Sequence, residues 1–171
     1  MRAVRSVSLL FTGLFAGFLL GVLVLENSLR AYNGSVYTQV RKVELDSLDT
    51  LASATLIPAL VSTLIVAALT IRARGNDRWL LVAAFTLLLV VFVTSLAINL
   101  PINADQADWS VQAPPSDWAD VRDRWQVAHV IRTVSAVLAF CSLIVASVSR
   151  TAPIAYTARE TGGALTGTSH H

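Results

Sequence analysis

The chain contains little charge and a single cysteine. Charged residues make up 14% of its 171 positions, and the net charge is +2. Its basic residues are scattered, whereas nucleic-acid binding uses a basic stripe or cluster, so no nucleic-acid partner is expected. Because Cys141 has no second cysteine to pair with, it cannot form an intrachain disulfide, and it lies inside an apolar stretch. Because apolar surroundings make a thiol inert, Cys141 is predicted to be a packing residue.

Common catalytic motifs are missing as well. The sequence shows no glycine-rich phosphate loop, no cysteine pair and no Ser/His/Asp arrangement. Only one histidine, His129, lies away from the C-terminal end, and Glu26 is the carboxylate that we consider beside it. That pair falls short of the two-histidine, one-carboxylate set of non-haem iron sites. No cofactor and no metal ligand set is predicted, and the sequence leaves metal dependence open.

Long apolar runs dominate the rest of the chain. Hydrophobic residues reach 54% and the mean hydropathy is +0.62. A hydrocarbon layer of ~30 Å needs about 20 helical residues. Four runs have this length: Val7–Leu25, Ala52–Ile71, Leu80–Leu100 and Ala128–Val148. The sequence therefore predicts an all-α integral membrane four-helix bundle with membrane lipid as its surroundings.

The predicted domain organisation is simple. Residues 1–150 form one four-span membrane domain, and the Gly/Ala/Thr-rich residues 151–171 form a disordered tail. The tail ends in His170-His171, whose origin the sequence leaves open. The first apolar run lacks an Ala-x-Ala cleavage site, so it is predicted to remain as the first span. The oligomeric state is also left open.

Charge placement predicts the orientation. The side with the N-terminus and the tight Arg72–Arg78 connection carries seven basic residues, and the opposite side carries six. Because Lys and Arg in short loops favour the cytoplasm, both termini are predicted to be cytoplasmic in a cell membrane. The segments Glu26–Leu51 and Pro101–Val127 are then outer loops.

The first and second spans contain residues that affect helix packing. Gly13, Gly17 and Gly21 recur every fourth residue, which favours close packing against another span over homodimerisation. Pro58 predicts either a kink that opens a cavity or plain helix geometry.

The third and fourth spans have recognisable ends. Leu100 precedes Pro101, so the third helix is expected to end there. Asn99 and Asn103 then lie at the outer edge, available for capping or for a ligand. Two prolines followed by Ser116 predict a fourth helix that starts outside the bilayer with Ser116 as its N-cap and runs ~50 Å.

One face of this fourth helix carries the candidate site. Five residues recur at spacings of four, three, four and three: Trp118, Arg122, Trp125, His129 and Arg132. Ionisable groups at membrane depth are costly and usually face the bundle interior, which singles out the last two.

The tryptophans and Glu26 each have two interpretations. An interfacial belt is the preferred interpretation of Trp109 and Trp118. For Trp125 a belt and a pocket wall remain equal alternatives. Glu26 either pairs with Arg30 one turn later or reaches His129 or Arg132 across the bundle mouth.

These residues resemble a known family. The similarity is carried by Asn99-Leu-Pro-Ile-Asn103, Trp109, Pro115-x-x-Trp118 and Arg122-x-Arg124-Trp125-x-x-x-His129-x-x-Arg132. This pattern resembles the anthrone oxygenase-like family of small four-span membrane proteins. The resemblance covers about Val7 to Val148 and implies oxidation of an anthrone methylene with dioxygen. It makes the matching Asn99, Asn103, Trp125, His129 and Arg132 candidate site residues.

The resemblance also suggests a mechanism, as a hypothesis. His129, assisted by Glu26, would remove a proton from an apolar aromatic substrate, and Arg132 with Asn99 and Asn103 would stabilise the oxyanion. Trp125 and Arg122 would contact the substrate. The alternative function is a non-enzymatic membrane protein that binds a lipid or a protein partner.

Overall fold

A computed structural model describes residues 2–149, and every regular element in that range is helical. The elements are α1 (Arg2–Leu29), α2 (Gly34–Arg72), α3 (Arg78–Thr94), a π turn (Ser95–Asn99), α4 (Leu100–Ala107) and α5 (Trp118–Val148). The predicted tail and the basic residues Arg150 and Arg159 lie outside the described residues.

The helices pack as a ring of four rods. The helix α1 contacts α2 and α5, and α3 contacts the same two neighbours from the other side. The core between them is aliphatic and aromatic, with Phe15, Leu19, Leu88 and Val91 fully buried. Small residues of α5, such as Ala136 and Ala139, let these side chains approach its backbone.

The outer surface of the ring is apolar. Leu10, Val24, Val61 and Val134 are each more than half exposed, although water would disfavour this exposure. Four helical segments are long and apolar enough to cross a membrane, with α3, the π turn and α4 forming one of them. The predicted all-α four-span membrane bundle is confirmed. The orientation of its termini remains a prediction.

The second helix is much longer than predicted. It begins at Gly34, where Asn33 Oδ1 accepts from Val36 N at 3.1 Å, and it has 39 residues. The prediction of an outer loop up to Leu51 was therefore wrong, because most of that segment is a helical extension of the span. The helix α2 also continues through Pro58, and Ser62 Oγ donates to the Pro58 carbonyl at 2.5 Å.

The third span does not end at Pro101, as we expected. The π turn precedes it, and Leu100 N donates to Ser95 O, five residues back. The wider turn accommodates a proline that has no N–H of its own. As a result α4 continues the rod outward and brings Asn99, Asn103 and Gln106 to the inside of the bundle.

The fourth span begins one residue later than predicted. Asp117, and not Ser116, precedes the first helical residue, and its side chain makes no capping bond. The helix α5 has 31 residues and spans ~46 Å, longer than the ~30 Å hydrocarbon layer. The extension beyond the bilayer is confirmed.

Three packing predictions were wrong. A Cβ on Gly13 would meet the Phe140 ring at 2.9 Å, but Gly17 and Gly21 have nothing within 4 Å, so only one of the three glycines packs internally. Cys141 is exposed on the outer surface of α5. Trp109 is buried at the outer end of the bundle with Tyr37 and Val121 as neighbours, so it does not belong to an interfacial belt.

The inner end of the bundle is closed by polar contacts. Arg5 Nη2 donates to Asp77 Oδ2 at 2.7 Å and to Thr70 Oγ1 at 3.1 Å. Ser8 and Thr63 share a hydrogen bond of 2.7 Å one turn farther in. These contacts tie α1 to α2 and to the turn before α3, at the end opposite the candidate site.

Candidate functional site at the outer end of the bundle

A cavity of about 40 Å³, called here the site cavity, lies where α1, α2, α4 and α5 meet. Its volume holds a few water molecules or the edge of a flat ring. Its polar wall consists of Arg41, Glu44, Asp49, Asn103, Trp125, His129 and Arg132. Its apolar wall includes Phe18, Leu19, Val22, Leu45, Leu48 and Ala52.

The His129 imidazole is fixed by two contacts. Its Nε2 lies 3.0 Å from the Leu19 carbonyl oxygen, which only accepts, so Nε2 carries the hydrogen. In the neutral ring Nδ1 is then an acceptor, and it is buried without a hydrogen-bond partner among the described residues. The Trp125 indole stacks on the imidazole with ring centroids 4.8 Å apart and planes 9° from parallel. This geometry holds an acceptor nitrogen in a fixed position.

Arg132 has an unused donor. It lines the cavity one turn below His129, it is 8% exposed, and its buried Nε has no partner in the part of the chain that the structure describes. A guanidinium stays charged, so a permanent positive charge borders the cavity with a free N–H. Such a group stabilises negative charge that develops on a bound molecule.

Arg41 is the centre of the polar network, and the sequence did not single it out. Its Nη1 donates to Glu26 Oε1 at 3.1 Å and to Glu44 Oε2 at 2.5 Å. Its Nε and Nη2 donate to Gln106 Oε1 at 3.0 Å and Asn103 Oδ1 at 2.9 Å. The guanidinium also lies 4.3 Å from the Trp125 ring centroid. One side chain of α2 therefore ties α1, α4 and α5 together.

Glu26 makes neither of its two predicted pairings. Its carboxylate is fully buried and bonds to Arg41, with Gln126 Nε2 donating to Oε2 at 3.4 Å. Arg30 bonds instead to Gln126 and to Asp123. Since Glu26 does not line the cavity either, it supports Arg41 and does not contact a molecule bound there.

The two asparagines face the bundle interior, but their amide nitrogens already donate to other residues. Asn99 Nδ2 donates to the Trp125 carbonyl at 3.3 Å, and its Oδ1 is buried without a partner within residues 2–149. Asn103 Oδ1 accepts from Trp125 Nε1 at 2.7 Å, and its Nδ2 donates to Asp49 at 3.3 Å. Of the two, only Asn103 lines the cavity.

Arg122 lies outside the site cavity. Its guanidinium is 4.9 Å from the Trp118 ring centroid, and its Nε donates to Asp123 Oδ1 at 2.9 Å. The indole of Trp118 in turn packs on Tyr37 at 5.6 Å between centroids. The structure therefore brings together Trp125, His129 and Arg132 of the predicted stripe, and places Arg122 with the packing at its outer end.

A sequence signal for the missed residues exists. Tyr37, Arg41, Glu44 and Leu48 recur at spacings of four, three and four, the same helical pattern that identified the α5 stripe. Reading residues 26–51 as a loop concealed this pattern.

Comparison with known proteins identifies the family. The profile of the anthrone oxygenase family matches residues 49–142, more than half of the chain. The chain belongs to the anthrone oxygenase family. The matched range contains Asn99, Asn103, Trp125, His129 and Arg132, whereas Glu26, Arg41 and Glu44 precede it. No curated protein and no solved structure matches the chain.

The charged side chains at the site include both carboxylates and guanidinium groups, which bears on whether it could bind a metal ion. Within the described range no three His, Cys, Asp or Glu side chains are grouped so that they could hold a metal ion. In the polar network Arg41 lies between the Glu26 and Glu44 carboxylates. The sequence predicted no metal ligand set and left metal dependence open, and it stays open here.

Proposed function

We propose that this member of the anthrone oxygenase family oxidises the methylene of an anthrone-type polycyclic aromatic at the site cavity. The reaction converts the methylene and dioxygen into a carbonyl and one water. Family membership supports the reaction type, and the site geometry supports its location. The observation that carries the proposal is the fixed His129 imidazole, whose Nδ1 lacks a partner among residues 2–149 in a cavity that Arg132 also lines.

The first step is removal of a methylene proton. An anthrone methylene is acidic because two aryl rings and the conjugated carbonyl delocalise the carbanion. His129 Nδ1 accepts this proton as a general base. The carbanion is flat and electron-rich, and it transfers its electrons to dioxygen to form a carbon–oxygen bond and a peroxide anion. No group other than the substrate supplies electrons.

Arg132 stabilises the negative charge in this step. Of the predicted oxyanion donors, Arg132 is the one with an unused buried N–H among the described residues, because the Asn99 and Asn103 amides already donate within the protein. The Arg132 Nε–H is buried and available. A preorganised donor of this kind stabilises a developing anion without reorganisation.

A three-ring aromatic substrate is larger than the site cavity, so only its reacting edge enters the cavity. The site cavity, about 40 Å³, accommodates the methylene edge, while the rest of the ring system lies against Leu45, Leu48 and Ala52 of α2. These residues belong to the part of α2 that borders the predicted membrane surface. An apolar substrate dissolved in the membrane therefore reaches the cavity without crossing water.

The test uses purified protein in detergent with anthrone and air. Oxygen uptake and anthraquinone absorbance are followed against the protein-free rate, before and after treatment with a chelator. His129→Gln keeps an N–H for the Leu19 carbonyl but removes the base, so anthraquinone formation should fall by a factor of about 10²–10⁴. Ser135→Ala, a buried position of α5 away from the cavity, is the control.

Two outcomes would contradict the proposal. One is a wild-type protein that oxidises anthrone no faster than the protein-free reaction, and the other is His129→Gln with wild-type activity. Either result, with unchanged melting temperatures, favours the non-enzymatic alternative, in which the polar network only joins the helices. A rate that the chelator abolishes would assign the oxygen step to a metal.

A further inference from the structure

Glu44 is a carboxylate in the cavity wall with one unused oxygen. Its Oε2 accepts from Arg41 Nη1 at 2.5 Å, whereas Oε1 is buried and accepts no hydrogen bond from an N–H group in the described part of the chain. The Glu26 carboxyl is the other acidic group within reach of Glu44. The side chain is 5% exposed and lines the site cavity. Because a buried carboxylate oxygen without a donor is costly, this oxygen is a candidate contact for a molecule that enters the cavity.

Glu44 and His129 reach the same cavity from different helices. Glu44 extends from α2 and His129 from α5, and both line the cavity. Arg41 connects them, because it bonds to Glu44 and lies over the Trp125 indole that stacks on His129. The cavity thus contains two buried acceptor atoms without partners, the Glu44 Oε1 oxygen and the His129 Nδ1 nitrogen.

The proposed oxidation requires two proton removals from one carbon. The first forms the carbanion, which adds dioxygen to give a peroxide anion. The proton returns from the first base to this anion and forms a hydroperoxide. In the second removal the remaining hydrogen leaves as a proton, its bonding pair becomes the carbonyl π bond, and the O–O bond breaks. The departing hydroxide then takes that proton and leaves as water.

A single fixed base is poorly suited to both removals. The two hydrogens of a ring methylene lie on opposite faces of the ring, and the stacked His129 imidazole has little freedom to change its position. A second acceptor on another helix removes this difficulty. Its proton capacity is sufficient, because a carboxylate accepts one proton and passes it to hydroxide.

We propose that Glu44 Oε1 is the second proton acceptor of the reaction and acts on the hydroperoxide after His129 has acted on the methylene. This inference rests on the proposed function. It assigns a separate chemical step to a residue that lies outside the range matched by the family. Arg41 orients the Glu44 carboxylate through Oε2 and leaves Oε1 for the substrate.

The experiment separates the two steps with three readouts on the purified protein and anthrone. Anaerobic exchange of the methylene hydrogens in D₂O reports the first removal. Hydroperoxide and anthraquinone, measured after air is admitted, report the second. Glu44→Asp keeps the charge beside Arg41 but is one methylene shorter, and Glu44→Gln keeps the length but removes the base. Asp46→Asn, an exposed position on α2, controls for the loss of a nearby charge.

Both Glu44 variants should keep wild-type exchange and accumulate hydroperoxide, while anthraquinone formation falls by a factor of about 10² or more. His129→Gln should lose the exchange itself, and Asp46→Asn should match the wild type. Should Glu44→Gln fail to fold, Glu44→Asp alone decides. A Glu44→Asp protein that forms anthraquinone at the wild-type rate, or that loses exchange together with oxidation, overturns the inference. A wild-type protein that neither exchanges nor oxidises anthrone overturns the proposed function instead.

Discussion

The Trp125 indole covers one face of the His129 imidazole, with centroids 4.8 Å apart and ring planes 9° from parallel. The indole is itself held by its Nε1 bond to Asn103 and by the Arg41 guanidinium. This arrangement answers the question that the sequence left open for Trp125, because a side chain that is 3% exposed and lines the cavity is a wall and not a belt residue.

Replacing Trp125 should therefore separate stacking from hydrogen bonding. Trp125→Phe keeps an aromatic face and loses one hydrogen bond, which costs about 1 kcal/mol of unfolding free energy. Trp125→Leu also loses the stacking, about 0.5–1.5 kcal/mol more. If the lost stacking misplaces the imidazole by a similar free energy, anthrone oxidation falls by a further factor of about 2–10. The measurements are detergent unfolding curves and anthraquinone formation.

Trp79→Leu is the matched control, since Trp79 is 69% exposed at the other end of the bundle. Equal effects of Trp125→Phe and Trp125→Leu on both activity and stability would show that stacking contributes nothing.

Arg41 should be the most sensitive residue for stability. Arg41→Met leaves the Glu26 and Glu44 carboxylates buried without a cation, which costs about 3–5 kcal/mol. Adding Glu26→Gln and Glu44→Gln to this variant removes both unpaired charges, so part of the loss should be recovered. The measurement is the unfolding midpoint in a detergent titration of the wild type, Arg41→Met and the triple variant.

The exposed Arg124→Met controls for the loss of an arginine in the outer half. If Arg41→Met unfolds at the same midpoint as Arg124→Met, the network does not join the helices.

The sequence predicted the features of this protein that regular patterns within one helix show, and missed those that depend on two helices. The apolar runs predicted four spans because lipid exposure requires a continuous apolar surface, and the α5 stripe predicted His129 and Arg132 because helical spacing is regular. The extension of α2 was missed because its first 18 residues precede the apolar run that marked the span and are mostly polar. Arg41 and Glu44 were missed with it. Pairing partners such as Glu26 with Arg41 depend on the relative rotation of two helices, which no single-helix pattern contains.

The π turn should determine which residues of α4 face the site. Inserting an alanine after Ala97, an exposed residue within the turn, adds a residue to a turn that already holds one more than an α-helical turn, and rotates the following helix by ~100°. Arg41 then loses Gln106 and Asn103, and hydrogen bonds to charged groups contribute about 1.5–3 kcal/mol each. We expect unchanged helix content by circular dichroism, a lower unfolding midpoint and loss of anthrone oxidation.

Ala97→Ser leaves the residue count unchanged and serves as the control for the insertion. An insertion variant with full activity would show that the register of α4 is not needed.

The glycines of α1 should differ from one another. Gly13→Val adds a Cβ that would lie 2.9 Å from the Phe140 ring, and two methyl groups beyond it. Overpacking of this kind costs about 1–3 kcal/mol of unfolding free energy. Gly17→Ala meets nothing within 4 Å, so it should be neutral or stabilise the helix by up to about 1 kcal/mol. Unfolding midpoints of the two variants provide the comparison. A destabilising Gly17→Ala would mean that this face packs against a second molecule.

Orientation can be tested with cysteine labelling, because Cys141 is the only cysteine of the chain. In a Cys141→Ala background, Ser110→Cys and Asn76→Cys place single thiols at exposed positions at opposite ends of the bundle. Asn76 has three basic residues near it, Arg72, Arg74 and Arg78. Their charge favours the cytoplasm for that end of the bundle. A membrane-impermeant thiol reagent should therefore label position 110 in intact cells and position 76 only after permeabilisation. The reverse pattern would place the site cavity at the cytoplasmic face, where its substrate would have to be supplied from inside the cell.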